Sequence, residues 1–182
     1  MSDARPREPG AGGSGLADHR RAGSEPVPTV VVTVSDTRTL ETDRGGRLAA
    51  ELLQGAGHPV LERRIVPDQP EAIVGALDAA LARSETRAVI FTGGTGVAPR
   101  DVTPESVEPR LERLVPGFGE LFRMLSFQEI GSAALLSRAL AGLVRGRVVF
   151  VLPGSTGAVR LALERLVLPE LGHLAAEAVK RR

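Results

Sequence analysis

The stretch Ala88-Val89-Ile90-Phe91-Thr92-Gly93-Gly94-Thr95-Gly96 passes from unbroken apolar side chains straight into a polar, glycine-rich loop. A strand with one wet face alternates apolar and polar residues. An unbroken run has no wet face, which is the pattern of a strand covered on both sides in a parallel sheet. Two other stretches share this form. Residues 29–34 lead into Ser35-Asp36-Thr37-Arg38, and residues 148–152 lead into Pro153-Gly154-Ser155-Thr156-Gly157. Residues 60–66 make a weaker strand, whose charged centre Glu62-Arg63-Arg64 predicts a more exposed position.

Helical periodicity fills the intervals. Ile73, Ala76, Leu77, Ala80 and Leu81 recur at helical spacing, as do Val159, Ala162, Leu163, Leu166 and Val167, and then Leu171, Leu174, Ala175, Ala178 and Val179. Shorter stripes run through Phe118, Leu121, Phe122 and Leu125, and through Leu48, Leu52 and Ala56. Each stripe is a face that must pack on something. Pro169 is expected to separate the last two helices, because it cannot donate into a preceding turn. Residues 137–147 are ambiguous, with Arg145-Gly146 able to turn a short strand back into the run at 148–152. Alternating strands and helices predict an α/β fold with a parallel sheet and helices on both faces.

Composition bounds the rest. The chain has 182 residues, a formal net charge of +1, no Cys, no Trp, no Tyr and five Phe. Without Cys there is no disulfide framework and no thiolate metal site. A near-neutral charge gives no electrostatic footprint for nucleic acid or an anionic membrane, and so few aromatic rings make a poor base-stacking platform. No apolar run reaches the ~18 residues of a membrane span, and no signal-like apolar segment opens the chain, so a cytoplasmic location is expected. Residues 1–26 lack large apolar side chains and read as a disordered tail; residues 27–182 read as one domain. The tail matches GxGxxG at 10–15, but no strand precedes the match and no helix follows it, so the match carries no meaning.

Chemistry is expected where the three polar loops converge, since ligands of open α/β sheets bind outside the carboxyl ends of the strands. Glycines there let the backbone approach a ligand, and the amides at 154–157 precede a helix, an arrangement that favours an anion such as phosphate. No GxxxxGK[ST] motif is present, and Pro99 occupies the third glycine position of the GxGxxG that begins at Gly94. Asp68 follows the second strand and Asp101 lies in the loop after Gly96. With the first strand between the second and third, the two carboxylates flank it at ~10 Å, a span that suits one hydrated Mg²⁺ shared with phosphate oxygens. Helix capping is the competing use for either Asp. His19, His58 and His173 are isolated, which argues against a zinc site or a histidine-based triad.

The chain resembles the molybdenum cofactor biosynthesis protein B and molybdopterin adenylyltransferase family (MoaB/Mog) from about residue 30 to 174. The resemblance is carried by SDTR (35–38), TGGTG (92–96), RDVTPE (100–105), PGFGELFR (116–123), SFQEIG (126–131), LSRALAG (136–142) and LPGS (152–155). It implies a three-layer α/β/α sandwich with a mostly parallel central sheet, often trimeric. It also implies Mg²⁺-dependent transfer of AMP from ATP to molybdopterin with release of pyrophosphate, ahead of a downstream molybdate-insertion step. The matching positions make Asp68 and Asp101 the catalytic, metal-linked carboxylates. They assign substrate and nucleotide binding to Asp36, Thr37, Gly93, Gly94, Thr95, Gly96, Thr103, Glu105, Ser137, Arg138, Pro153, Gly154 and Ser155. One departure is Asp43-Arg44-Gly45-Gly46, where the family often has Asp-x-Ser-Gly. The alternative is a non-catalytic molybdopterin-binding scaffold of the same pathway, against which the retained pair of carboxylates stands.

Overall fold

The computed structural model describes residues 25–180. The tail read into residues 1–26 lies, apart from its last two residues, outside them. Val27 is already buried, and its N–H donates to His58 Nδ1 at 3.1 Å.

One six-stranded sheet carries the fold: β1 (Thr29–Val34), β2 (Val60–Val66), β3 (Ala88–Thr92), β4 (Arg113–Leu114), β5 (Leu140–Val144) and β6 (Arg147–Leu152), in the order β2-β1-β3-β6-β5-β4. The pairs among β2, β1, β3 and β6 are parallel, whereas β5 and β4 join antiparallel, with β4 at the edge. The three unbroken apolar runs occupy the middle positions, β1, β3 and β6, and are buried along nearly their whole length. β2 lies at one edge and is half-buried throughout, as its charged centre predicts. Arg145 and Gly146 both take positive φ, 49° and 71°, and turn β5 back into β6.

Helices α1 (Arg44–Gly55), α4 (Pro116–Ile130), α5 (Thr156–Ala162) and α6 (Leu168–Val179) pack one face of the sheet; α2 (Pro70–Ala82) and α3 (Thr103–Val107) pack the other. Alternate residues of the central strands feed the two cores. In β6, Val148, Phe150 and Leu152 face the larger core, while Val149 and Val151 face the smaller one. The result is an α/β/α sandwich of three layers. No described helix is long and apolar enough to cross a membrane.

Two local expectations need correction. In α1 the fully buried residues are Gly45, Gly46, Ala49, Ala50 and Leu53; Leu48 and Leu52 of the expected stripe pack half-buried against the same core, while Ala56 is exposed. Small residues dominate its contact face because α1 lies close to the loops above the sheet. Pro169 does not separate two helices by a loop. Residues Leu163–Val167 form a π-helical turn that joins α5 to α6, and Pro169 sits in the first turn of α6. A widened turn accommodates the hydrogen bond that a proline cannot donate.

Candidate active site

Because β1, β3 and β6 run parallel, their carboxyl ends open on one side of the sheet, and the loops that follow them line a single cavity of about 490 Å³. The β2 loop joins them, since β2 pairs in parallel with β1. Asp36, Thr37, Asp68, Gly93, Gly94, Thr95, Gly96, Asp101, Ser137, Pro153, Gly154 and Ser155 all line this cavity.

The loops close more tightly than strand spacing alone dictates. Asp36 Oδ1 accepts from the backbone N–H of Asp68 at 2.9 Å, and its other oxygen pairs with Arg100. Asp36 therefore ties the β1, β2 and β3 loops together. Asp68 Oδ1 accepts from Val102 N–H at 3.4 Å, and Asp101 Oδ2 accepts from Ala98 N–H at 3.1 Å. Neither Asp68 nor Asp101 caps a helix. The N-cap of α2 is Gln69 and that of α3 is Val102, and neither helix start has a side-chain cap.

Electrostatics set Asp68 apart. Partial burial pushes its carboxyl above the ordinary value, and the negative charges of Asp101 and Asp36 push it the same way. The Val102 N–H and the Arg100 guanidinium oppose them. A carboxylate so crowded by its own kind favours a cation close by. Among the described residues no three His, Cys, Asp or Glu side chains form a ready metal cage.

Two of the loop glycines also serve the protein itself. Gly93 N–H is engaged with Leu152 O at 2.9 Å, so it extends the β3–β6 pairing. Gly94 has φ of 62°, and a Cβ there would fall on Thr103 Oγ1 and beside the Asp68 carboxylate. The missing side chain thus makes room for other protein groups. Thr103 itself is fully buried behind that turn, where its N–H donates to Gly94 O at 3.0 Å, and it does not line the cavity. Ser155 caps α5 by accepting from Ala158 N–H at 3.2 Å, which leaves its hydroxyl proton available to donate.

Glu105 and Arg138 also lie outside this cavity. They pair with each other and line an adjoining one of about 520 Å³, which shares Ser137 with the first. Arg138 braces the partition by donating to Thr95 O and Asp101 O at 3.4 and 2.6 Å.

Several cavity residues lie beyond the sequence-derived set. Arg38 and Arg100 enter from the loops, and Phe122, Ser126, Ile130, Ala133, Ala134 and Leu136 form a less polar wall. That wall comes from α4 and the 3-10 segment Gly131–Leu136. The helix is held there by Phe118, whose ring meets that of Phe150 edge-on at 5.3 Å. Arg38 stands in SDTR and Arg100 in RDVTPE, so both carried a signal in the sequence; the wall depends on a helix crossing that no local pattern encodes.

The described relatives agree with this architecture. Residues 30–173 match the family model of a probable molybdopterin binding domain. The chain is 49% identical over 168 residues to molybdenum cofactor biosynthesis protein B of Halalkalibacterium halodurans, covering 92% of this chain and 99% of that protein. A crystal structure of a molybdenum cofactor biosynthesis protein B superposes with a TM-score of 0.85 at 49% identity, covering 87% of this chain and 99% of the other. The tungsten cofactor synthesizing protein MoaB from Pyrococcus furiosus superposes with a TM-score of 0.78 at 36% identity, covering 86% and 99%.

Proposed function

Since the chain belongs to the molybdopterin-binding domain family of molybdenum cofactor biosynthesis proteins, we propose that it transfers AMP from ATP to molybdopterin. Its place in molybdenum cofactor biosynthesis follows from the family. The observation that carries the finer reading is the meeting of Asp68 and Asp101 in one loop-lined cavity, with neither engaged in capping.

The donor set suits Mg²⁺. This ion takes oxygen ligands and is commonly held by one or two carboxylates together with waters and substrate phosphates, which needs no complete protein cage. Asp68 and Asp101 would hold it, and the crowding of negative charge around Asp68 is relieved by such an ion. Bound there, Mg²⁺ supplies charge neutralisation to the polyphosphate and to the departing pyrophosphate.

The chain's own residues do the positioning. A phosphate-monoester oxygen of molybdopterin forms a bond to the α-phosphorus of ATP as the bond from that phosphorus to the bridging oxygen of pyrophosphate breaks. The monoester is anionic near neutral pH, so no general base is required, which agrees with the lack of a histidine among the described residues that line the cavity. Orientation and electrostatic stabilisation remain as the main demands. The polar loops at 35–38, 93–96 and 153–155 face the phosphates, and the wall around Phe122 and Ile130 faces the flatter, less charged parts of the substrates. We further assign the protein to the cytoplasm and its product to a downstream molybdate-insertion enzyme.

A homotrimer completes the proposal. Leu121, Met124, Phe127 and Ile130 are each exposed along α4, and Leu135 beside them is 81% exposed. Together they form an apolar surface next to the cavity wall, of the kind that marks an association site. The deciding assay is pyrophosphate release from MgATP with molybdopterin supplied. Release at a rate that depends on molybdopterin supports the transferase; binding of molybdopterin without release assigns the chain to the scaffold role.

A further inference from the structure

We propose that Arg38 is a phosphate-binding residue of this cavity and that Asp43, buried beneath it, is its positioning residue; the inference rests on the reading that the cavity takes phosphorylated ligands. Asp43 follows the β1 loop and caps α1, with Oδ1 accepting from Gly46 N–H at 2.9 Å. Capping alone does not explain it. A serine or threonine caps as well without burying a charge, and a buried carboxylate is costly unless it is fully paired. Yet Asp43 is only 1% exposed.

Its remaining partners show what the charge holds. Oδ2 accepts from Thr33 Oγ1 at 2.8 Å, and Arg63 Nη2 lies 3.3 Å from the same oxygen. Arg38 Nη1 lies 3.9 Å from Oδ1 and donates to Gly154 O at 3.2 Å. The guanidinium therefore spans from the start of α1 to the loop after β6, on the cavity lining. A Cβ on Gly46 would fall on the Asp43 carboxylate and lie 2.5 Å from Thr33 Oγ1, so that glycine gives the carboxylate its room.

The other nearby arginines are spent differently. Arg100 closes on Asp36, and Arg138 closes on Glu105 and two carbonyls. Arg38 uses only Nη1 in its side-chain contacts, at a long ion-pair distance and to a carbonyl. Nη2 and Nε remain for a ligand, and two parallel N–H donors of a guanidinium match two oxygens of a phosphate. Gly154 O, which orients the group, is adjacent in the chain to Ser155, whose hydroxyl proton is also available.

Calorimetric titration of the full chain with magnesium pyrophosphate tests this. Arg38→Gln is expected to weaken binding roughly ten- to a hundredfold, the scale of a lost hydrogen bond between charged groups, with Arg38→Lys intermediate. Asp43→Asn keeps the cap but loosens the guanidinium and should weaken binding several-fold. Combined with Arg38→Gln it should add no further loss, since both changes remove one interaction. If the Asn variant does not fold, Asp43→Ser replaces it as an uncharged cap. Unchanged affinity in folded Arg38→Gln overturns the inference and leaves the transferase reading intact. Losses that multiply in the double variant overturn the positioning role of Asp43. A parent protein that binds no pyrophosphate overturns the inference and the phosphoryl-ligand reading together.

Discussion

Val102, the residue after Asp101, donates its backbone N–H to the carboxylate of Asp68 at 3.4 Å. The loop that carries one acidic side chain is thus fastened to the other, and the pair is held as a unit across the intervening strand β1. Asn at either position keeps an oxygen for the existing backbone donor and removes only the charge. If the pair holds Mg²⁺ on the polyphosphate, AMP transfer in Asp68→Asn and Asp101→Asn falls by about a hundredfold or more. Single-turnover assays measure this. The fold should be retained, and the melting temperature of Asp68→Asn at neutral pH should equal or exceed that of the parent. The raised Asp68 pKa means that its ionised form opposes folding above the unfolded-state value. Normal transfer rates in both variants of an active parent would discard the two-carboxylate mechanism.

His58 provides a pH test remote from the cavity. Its Nδ1 accepts from Val27 N–H, and burial lowers its pKa from the ordinary 6.5. The neutral ring is therefore the form the fold prefers. The stabilisation is complete above pH 6.5 and is lost as pH falls below that value toward the lower folded pKa. Thermal melts should show an acid-side decline in this window that is reduced in His58→Gln. A variant whose decline equals the parent's would assign the acid lability elsewhere.

Gly94→Ala should chiefly damage stability. A positive φ costs a non-glycine residue about 1–2 kcal/mol, and the new methyl meets Thr103 Oγ1. Chemical denaturation of the single variant and of Gly94→Ala combined with Thr103→Ala separates the two contributions. The double variant recovers the part due to Thr103 and keeps the backbone cost together with the closer approach to Asp68. A fully stable single variant would mean that the loop can turn another way.

Self-association through α4 is open to direct measurement. Light scattering of the parent at micromolar concentration should report a trimer, and Phe127→Glu, placed where the native ring is 62% exposed, should shift it toward monomer without loss of helicity. A parent that is monomeric under these conditions would remove the trimer from the proposal.

The central sheet was legible in the sequence because both faces of β1, β3 and β6 are covered, which writes burial into every residue of each run. β5 was visible only through its turn residues, Arg145 and Gly146. β4 was not visible at all, since a two-residue strand exists by virtue of the partner it pairs with. The face of α1 was legible in part: Leu48 and Leu52 pack on the core as their spacing implies, but the glycines and alanines at its centre carry little hydrophobic signal. At the site, strand order brought the polar loops together as expected. The motifs gave residue types but not orientations: Thr103, matched to a binding position, is buried behind the Gly94 turn. Asp43 stood out in the sequence only within the Asp43-Arg44-Gly45-Gly46 departure, and the approach of Arg38 and Arg63 from a separate loop and strand reveals what surrounds it.

The two borders of the sheet have a further consequence. A free strand edge is a template on which another chain can polymerise. Here β2 presents Glu62, Arg63 and Arg64 along one border, with Arg64 and Arg83 paired to Glu62, and β4 ends the other border after two residues. One margin is guarded by charge and the other by brevity. The association proposed for the exposed side of α4 would then meet no competing strand addition, leaving the chain sticky on a helix and inert along its sheet.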